Sequence, residues 1–397
     1  MPKIIRIINR FNLGGPTYNA AYLSKYMAPE FETLLVGGSI DKSEENSEYI
    51  VRDLGLKPLI IPEMKRSISP QYDLIAYKKI KQIISDFHPD IVHTHASKAG
   101  ALGRLAAFSM NVPVIIHTFH GHVFDAYFNK LSSAFYINIE RYLAKKSSKI
   151  IAISDIQKDD LENKYKICDG NKIKVISLGF DLSRFQENIT IKRTSFRSEY
   201  QIAEDEIAIA IIGRLVPIKN HSLFLEAVKY VAERTKMKIR IFIVGDGESK
   251  INIQNKASEL NLSFTENKKE SKNNLITFTS WIKDIDIVIA GVEIIALTSL
   301  SEGTPVSLIE AQAGNKPIVS TNVGGIENVV LPNETSLLSP NGDVETFAKN
   351  LLILVNNENL REKMSEKGWL FVKDKFHFTR LVKDTKDLYY SLLKTKN

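Results

Sequence analysis

The sequence predicts an α/β chain made of two doubly wound parallel sheets in tandem, facing a central cleft. Three observations carry that expectation. Short β-branched runs alternate with longer amphipathic stretches through the first half. Most of those runs are apolar without strict alternation, as strands covered on both faces are. The alternation then restarts after a polar, weakly patterned stretch, DLSRFQENITIKRTSFRSEY (181–200), which places the join near residues 182 to 192. A length of 397 residues suits two domains, and 44% hydrophobic content supplies two cores.

In order, the predicted strands of the first half are KIIRII (3–8), TLLVGG (33–38), PLIIP (58–62), DIVHTH (90–95), PVIIHTF (113–119), KIIAIS (149–154) and KVISL (174–178). Helical patterns lie between them, among them YDLIAYKKIKQIISDF (72–87) and AGALGRLAAF (99–108). Strand, helix, strand in repetition means parallel pairing with right-handed crossovers. The second half repeats the scheme: AIAIIG (208–213), the helix SLFLEAVKYVAERT (222–235), then IRIFIVG (239–245), EIIALTS (293–299) and PIVST (317–321). FTENKKESKNN (264–274) reads as a charged surface loop, and the tail from Phe378 as a helix. In such sheets ligands sit outside the carboxyl ends of the strands.

Bulk chemistry narrows the partners. The net charge of +7 is compatible with an anionic ligand or lipid, but the basic residues are dispersed. There is no zinc-spaced Cys/His set, ribonucleoprotein signature or basic zipper, so nucleic acid is not expected. The single cysteine, Cys168, excludes an intrachain disulfide and suits a reducing compartment. The opening MPKIIRIINRF is too short and too broken by Arg6 for a secretory signal. No run approaches the roughly 20 apolar residues of a spanning helix. A cytoplasmic protein is expected, one that can still meet the inner face of the plasma membrane.

The segment SEGTPVSLIEAQAG (301–314) concentrates the chemistry. Gly303 permits a tight turn after a strand, Thr304 is expected to cap a helix, and Pro305 to begin it. The free N–H groups of that helix start, near Ser307 and Leu308, suit a phosphate. Glu302 precedes the turn, and Glu310 lies inside the helix, where an unpaired charge is costly. Two carboxylates beside a phosphate site can bind the hydroxyls of a sugar and a ribose. Arg214 and Lys219, in IGRLVPIKN (212–220), follow a strand and can neutralise a diphosphate. Gly14-Gly15 follows the first strand, but neither it nor VGDGES (244–249) completes a dinucleotide fingerprint. In HTFHGHVF (117–124), His120 precedes Gly121 and is placed to meet a sugar hydroxyl or acceptor, with His122 behind it. His93 and His95 fall at another strand end, but their spacings match no zinc template.

These motifs together resemble the retaining, nucleotide-sugar-dependent glycosyltransferases of family 4, with the two-domain GT-B fold. GGPTYNAAYLS resembles the family's glycine-rich first loop, and PDIVHTHASKAGALGRLAA and VIIHTFHGHVF its acceptor-domain motifs. IAISDIQKDDL and VISLGFDLSRF resemble further family segments, IGRLVPIKN its GRLxxxKG motif, and EGTPVSLIE its paired-glutamate motif. Departures are Leu178-Gly179, Asn220 and Ser280-Trp281, where Asn-Gly, Gly and Gly are commoner.

The resemblance implies two Rossmann-like domains, residues 1–185 on the acceptor side and 186–377 on the nucleotide-sugar side, with helix 378–397 crossing back onto the first. It implies that Arg214 and Lys219 bind the donor diphosphate, Glu310 the ribose and Glu302 the transferred sugar. Gly303 and the backbone at Ser307 and Leu308 would meet phosphate, Gly15 would pack on the diphosphate, and the base would lie near Trp281 and Ile282. His120 would contact donor sugar or acceptor.

The expected reaction is retaining transfer from a nucleotide-diphosphate sugar, a UDP-sugar by preference, to a glycan or polyprenyl-linked acceptor in polysaccharide or glycoconjugate assembly. No cofactor or metal is expected, because KDIDIV (283–288) makes no convincing acidic metal loop. An anionic membrane surface is a further expected partner, met by the aromatic and basic stretch at 127–149. A sugar-nucleotide epimerase of the same architecture is the alternative, and an oxidoreductase fails on the missing fingerprint.

Overall fold

The computed structural model describes residues 1–11, 15–39, 48–65, 67–121 and 130–395, with only the backbone for 130–132. Gly14 and His122 lie outside the described residues. The chain divides into two compact units, Met1–Phe180 with Lys375–Asn397, and Asp181–Asp374.

The first unit is built on strands β1 (Lys3–Arg10), β2 (Glu32–Gly38), β3 (Leu59–Ile61), β4 (Ile91–His95), β5 (Val114–Thr118), β6 (Lys149–Ala152) and β7 (Ile173–Val175). They pair in parallel in the order β3-β2-β1-β4-β5-β6-β7. The continuous apolar runs are buried on both faces: β4 and β5 have no exposed residue. One layer holds Ile5, Ile7 and Val92 against Ile80 and Ile84 of the helix Pro70–Phe87. The opposite layer holds Ile4, Ile91 and Val114 against Leu381, Leu388 and Tyr389 of the helix Phe378–Lys394. That last helix therefore completes the core of the first unit. Its entry is fixed by backbone bonds at Phe180, whose N–H donates to Phe376 O at 2.8 Å and whose carbonyl accepts from Phe378 N at 3.0 Å.

The second unit repeats the wiring with β8 (Glu206–Ile212), β9 (Lys238–Val244), β10 (Phe264–Thr265), β11 (Ile276–Ser280), β12 (Ile294–Leu297), β13 (Ile318–Thr321) and β14 (Ser336–Ser339). Their order is β10-β11-β9-β8-β12-β13-β14, again parallel.

Several expectations need correction. The polar stretch expected to join the halves contains a 3-10 turn, Ser183–Phe185, and a helix, Ile189–Glu199. That helix is fixed by burying Phe196 against Tyr200 and Phe242. The loop expected at 264–274 holds edge strand β10 and a 3-10 segment, Lys268–Asn273. Strands β11 and β14 were not anticipated.

Candidate active site

In each sheet the first strand lies in the interior, and the chain fills one side before crossing to the other. In the second unit the crossing falls between β8 and β12. Loops leaving the carboxyl ends of two strands on either side of such a crossing diverge and leave a crevice. The residues singled out in IGRLVPIKN and SEGTPVSLIE leave from those two strands.

Lys219 ends the 3-10 turn Pro217–Lys219, and Asn220, at φ 47°, redirects the chain into the helix His221–Ala232. Lys219 Nζ lies 2.5 Å from Glu302 Oε1, which also accepts from Ser299 Oγ at 2.6 Å. Two further bonds align the loops. Thr298 Oγ1 donates to the Lys219 carbonyl at 2.9 Å, and Leu300 N to Ile218 O at 2.8 Å. Arg214 is exposed and forms no ion pair among the described residues.

The Glu302–Gly303 backbone is braced from behind by the loop after β13. Gly325 N donates to Glu302 O at 2.9 Å. A Cβ at Gly324, whose φ is 54°, would lie 2.0 Å from Glu302 O, and one at Gly325 would lie 1.8 Å from Gly303 O. Only glycine allows this approach. The helix Val306–Ala313 follows. Its N-cap is Pro305, not Thr304, and no side chain caps it. With no acid in its first turn, its free N–H groups near Ser307 remain available to an anion. Leu308 N is turned back to Pro305 O at 3.2 Å, and its side chain is buried.

Glu310 sits one turn further in, with its side chain 14% exposed. Burial pushes its pKa up to about 7, against the pull of Arg184; Asp286 adds to the rise. Arg184 Nη2 is 3.8 Å from Glu310 and Arg184 Nη1 3.8 Å from Asp286, while Lys192 Nζ is 2.8 Å from Asp286. Sequence reasoning gave no role to Arg184, Lys192 and Asp286, which come from a 3-10 turn and two separate helices and meet only in the folded chain.

Trp281 and Ile282 follow β11 and are half-buried. Beside them Ser280 Oγ donates to Asp246 Oδ2 at 2.5 Å, and Gly247 N to Asp246 Oδ1 at 2.8 Å. These bonds, the Ser280 one foremost, hold Asp246 below the usual carboxylate range. Asp246 was visible only as part of an incomplete glycine motif.

The remaining two site residues belong to the first unit. Gly15 is the first residue of the helix Gly15–Tyr26, and a Cβ there would come within 2.9 Å of Leu178 Cδ1. His120 follows β5, with Nε2 2.9 Å from His95 Nδ1. Burial pushes the His120 pKa down to about 3. His93 has both ring nitrogens engaged: Nδ1 with Arg6 Nη1 (3.0 Å) and Tyr389 OH (2.6 Å), Nε2 with Thr118 Oγ1 (2.7 Å).

Known proteins share this construction. The family profile described as "Glycosyltransferase Family 4" matches residues 13–184, and "Glycosyl transferases group 1" matches 192–369. The chain is 29% identical over 347 residues to an Escherichia coli protein, UDP-Gal:alpha-D-GlcNAc-diphosphoundecaprenol alpha-1,3-galactosyltransferase, covering 87% of this chain and 86% of that one. It is 25% identical to the capsular polysaccharide biosynthesis glycosyltransferase CapM of Staphylococcus aureus, over 84% of this chain and 85% of the relative. A solved glycosyltransferase of Rickettsia africae superposes with a TM-score of 0.79 at 22% identity, over 99% of both chains. HepE of Anabaena in complex with UDP gives 0.80 at 16%, over 98% of this chain and 100% of that one. One profile ends at residue 184 and the other begins at 192, within the join expected near residues 182 to 192, and the paired motifs fall at the strand ends where the fold opens its crevice: the chain belongs to the glycosyltransferases of family 4 and has their GT-B construction.

Proposed function

We propose that this chain is a retaining, metal-independent transferase that moves a hexose or N-acetylhexosamine from a UDP-sugar to a glycan or polyprenyl-linked acceptor at the cytoplasmic face of a membrane. The observation that carries this reading is the Lys219–Glu302 pair at the β8/β12 crossing, braced by Gly324 and Gly325. The choice of UDP draws on the E. coli relative's UDP-Gal and on the UDP held by HepE. The lipid-linked acceptor draws on the diphosphoundecaprenol in that relative's name.

A sugar nucleotide reacts when the charge growing on its leaving diphosphate is neutralised. Arg214 and Lys219 supply two fixed positive groups, and the start of the helix Val306–Ala313 adds N–H donors near Gly303 and Ser307. Glu310 takes the ribose hydroxyls, Trp281 and Ile282 border the base, and Glu302 orients the transferred sugar. His120 meets the sugar or acceptor, and Gly15 lies against the diphosphate. The bond from the anomeric carbon to the phosphate oxygen breaks, its electron pair going to that oxygen. The acceptor hydroxyl bonds to the anomeric carbon on the same face and passes its proton to the departing phosphate. No protein nucleophile is used.

The test is transfer from UDP-hexoses to a short polyprenyl-diphosphate-linked N-acetylglucosamine, with and without EDTA. An α-linked product from the α-linked donor, formed at an unchanged rate in EDTA, is expected. A β-linked product overturns retention, and loss of activity in EDTA overturns metal independence. Isomerised sugar nucleotide without acceptor replaces the transferase with an epimerase.

Membrane contact is proposed for the helix Lys130–Lys146. Phe135 and Tyr142 are 62% and 51% exposed, and Lys145 and Lys146 occupy its last turn. Lys146 Nζ lies 4.1 Å from the centre of the Phe108 ring, itself exposed. Lys145→Glu with Lys146→Glu is expected to weaken sedimentation with phosphatidylglycerol vesicles and leave phosphatidylcholine vesicles unaffected. Equal binding before and after the exchange removes this contact.

A further inference from the structure

His120 does not stand alone, and the protons behind it can be assigned from its neighbours. The chain of donors begins at Arg6 on β1, which is fully buried. A guanidinium only donates. Arg6 Nη1 lies 3.0 Å from both His93 Nδ1 and Tyr389 OH, so His93 Nδ1 accepts. Tyr389 receives the Arg6 bond and gives its own proton to the same nitrogen at 2.6 Å. The His93 proton is therefore on Nε2, donated to Thr118 Oγ1 at 2.7 Å. His93 is neutral and held on both sides.

The His95 ring packs on this fixed ring, with centroids 4.3 Å apart. Its Nδ1 meets His120 Nε2 at 2.9 Å. The two outer nitrogens, His95 Nε2 and His120 Nδ1, are buried and have no hydrogen-bond partner among the described residues. Burial, with the nearby Arg6 charge acting on His95, keeps both rings neutral, so two protons serve four nitrogens. One proton lies in the shared bond. The other lies either on His95 Nε2 or on His120 Nδ1.

The two placements are not equal. His95 is wholly buried, and a proton on its Nε2 would have no acceptor among the described residues. His120 is partly exposed, and a Cβ on the next residue, Gly121, would meet no described residue within 4 Å. His120 Nδ1 is covered in this structure, and a ligand oxygen that displaces what covers it would take up a proton held there.

We propose that His95 is a positioning residue that donates from Nδ1 to His120 Nε2 and so fixes His120 as an Nδ1–H donor toward a hydroxyl or anionic oxygen of the substrate. His120 in this state is not a general base, which leaves the acceptor's proton to the departing phosphate. This assignment rests on the transferase reading only in naming the ligand as substrate; the tautomers themselves do not depend on it.

Histidine-selective ¹⁵N labelling of the full chain, with two-bond ¹⁵N–¹H correlation, reads the tautomers directly. Both His95 and His120 are expected as Nδ1–H, and His93 as Nε2–H. A spectrum with His120 protonated on Nε2 overturns the proposal whatever the activity. His95→Asn keeps an amide donor near the position of Nδ1, and His95→Leu removes it. The leucine variant is expected to lose about 10- to 100-fold in kcat with the donor KM within about twofold, the asparagine variant recovering part of it. A leucine variant with unchanged kcat, or one that shifts only KM, overturns the positioning role. If His95→Leu does not fold, the spectrum of the unaltered protein and the asparagine variant decide. If the transferase reading is itself wrong, the unaltered protein transfers no sugar while the tautomers still read as assigned.

Discussion

Arg6 and Glu310 are each charged groups inside a core, and each has consequences at the scale of a residue. Arg6 is 0% exposed and its partners are neutral: Ser24 Oγ, Met27 Sδ, His93 and Tyr389. Its charge helps keep His93 and His95 unprotonated, although desolvation is the larger cause. Glu310 is the opposite case, an acid whose burial raises its pKa from 4.5 to about 7. Below pH 4.5 the group is protonated in the folded and unfolded chain alike and has no effect on stability. Between pH 4.5 and about 7 the unfolded chain ionises first, so stability falls with rising pH, by about 3 kcal/mol in all, and stays lower above that. Glu310→Gln is expected to raise stability at pH 8 and leave it unchanged at pH 4, measured by denaturant unfolding. In the proposed role Glu310 holds the ribose as a carboxylate, so affinity for UDP-galactose, whose diphosphate does not titrate here, is expected to rise about tenfold from pH 6 to 8. The glutamine variant is expected to show a flat profile. A flat profile in the unaltered protein would detach Glu310 from the donor.

At the scale of elements, the loop after β13 supports the site without supplying a side chain to it. Gly325→Ala would drive a methyl group into the Gly303 carbonyl, now 1.8 Å from that position. The expected result is a weaker fold by roughly 1–3 kcal/mol and a loss of UDP-sugar binding larger than the loss of stability explains. Calorimetry against a melting curve separates the two, and a variant that binds normally removes the bracing role. Much of the element order was legible because buried parallel strands are written as unbroken apolar runs, as in KIIRII and AIAIIG. What stayed hidden had no local signature. The helix Ile189–Glu199, ITIKRTSFRSE, is rich in β-branched and hydroxyl residues and has one buried aromatic, Phe196, which packs where Gly291 leaves room. Tertiary burial overrides its weak propensity. β14, SLLS, is short and lies at a sheet edge. The same division holds in the site. Lys219 and Glu302 carry recognisable motifs, whereas Arg184, Asp286 and Lys192 are brought to Glu310 only by folding.

Across the whole molecule, the two units solve one problem twice. Each places a central strand first and crosses from it to a neighbour on the far side, β1 to β4 in one and β8 to β12 in the other. Each gathers its polar groups around that crossing: Arg6, His93 and His95 in the first, Lys219 and Glu302 in the second. The last helix, Phe378–Lys394, belongs to the first unit's core and delivers Tyr389 to Arg6. No helix among the described residues is long and apolar enough to cross a membrane, so the proposed membrane contact depends on the exposed face of the helix Lys130–Lys146. Diphosphate binding at the second crossing is read by calorimetric titration of UDP at pH 8 into the full chain and into Arg214→Ala and Lys219→Ala, with melting curves to confirm folding. Saturable binding by the unaltered protein and a loss of about 10- to 100-fold in each variant are expected, as for removal of a charge-assisted bond to phosphate. Folded variants that bind UDP as tightly as the unaltered chain would contradict diphosphate binding by these two residues.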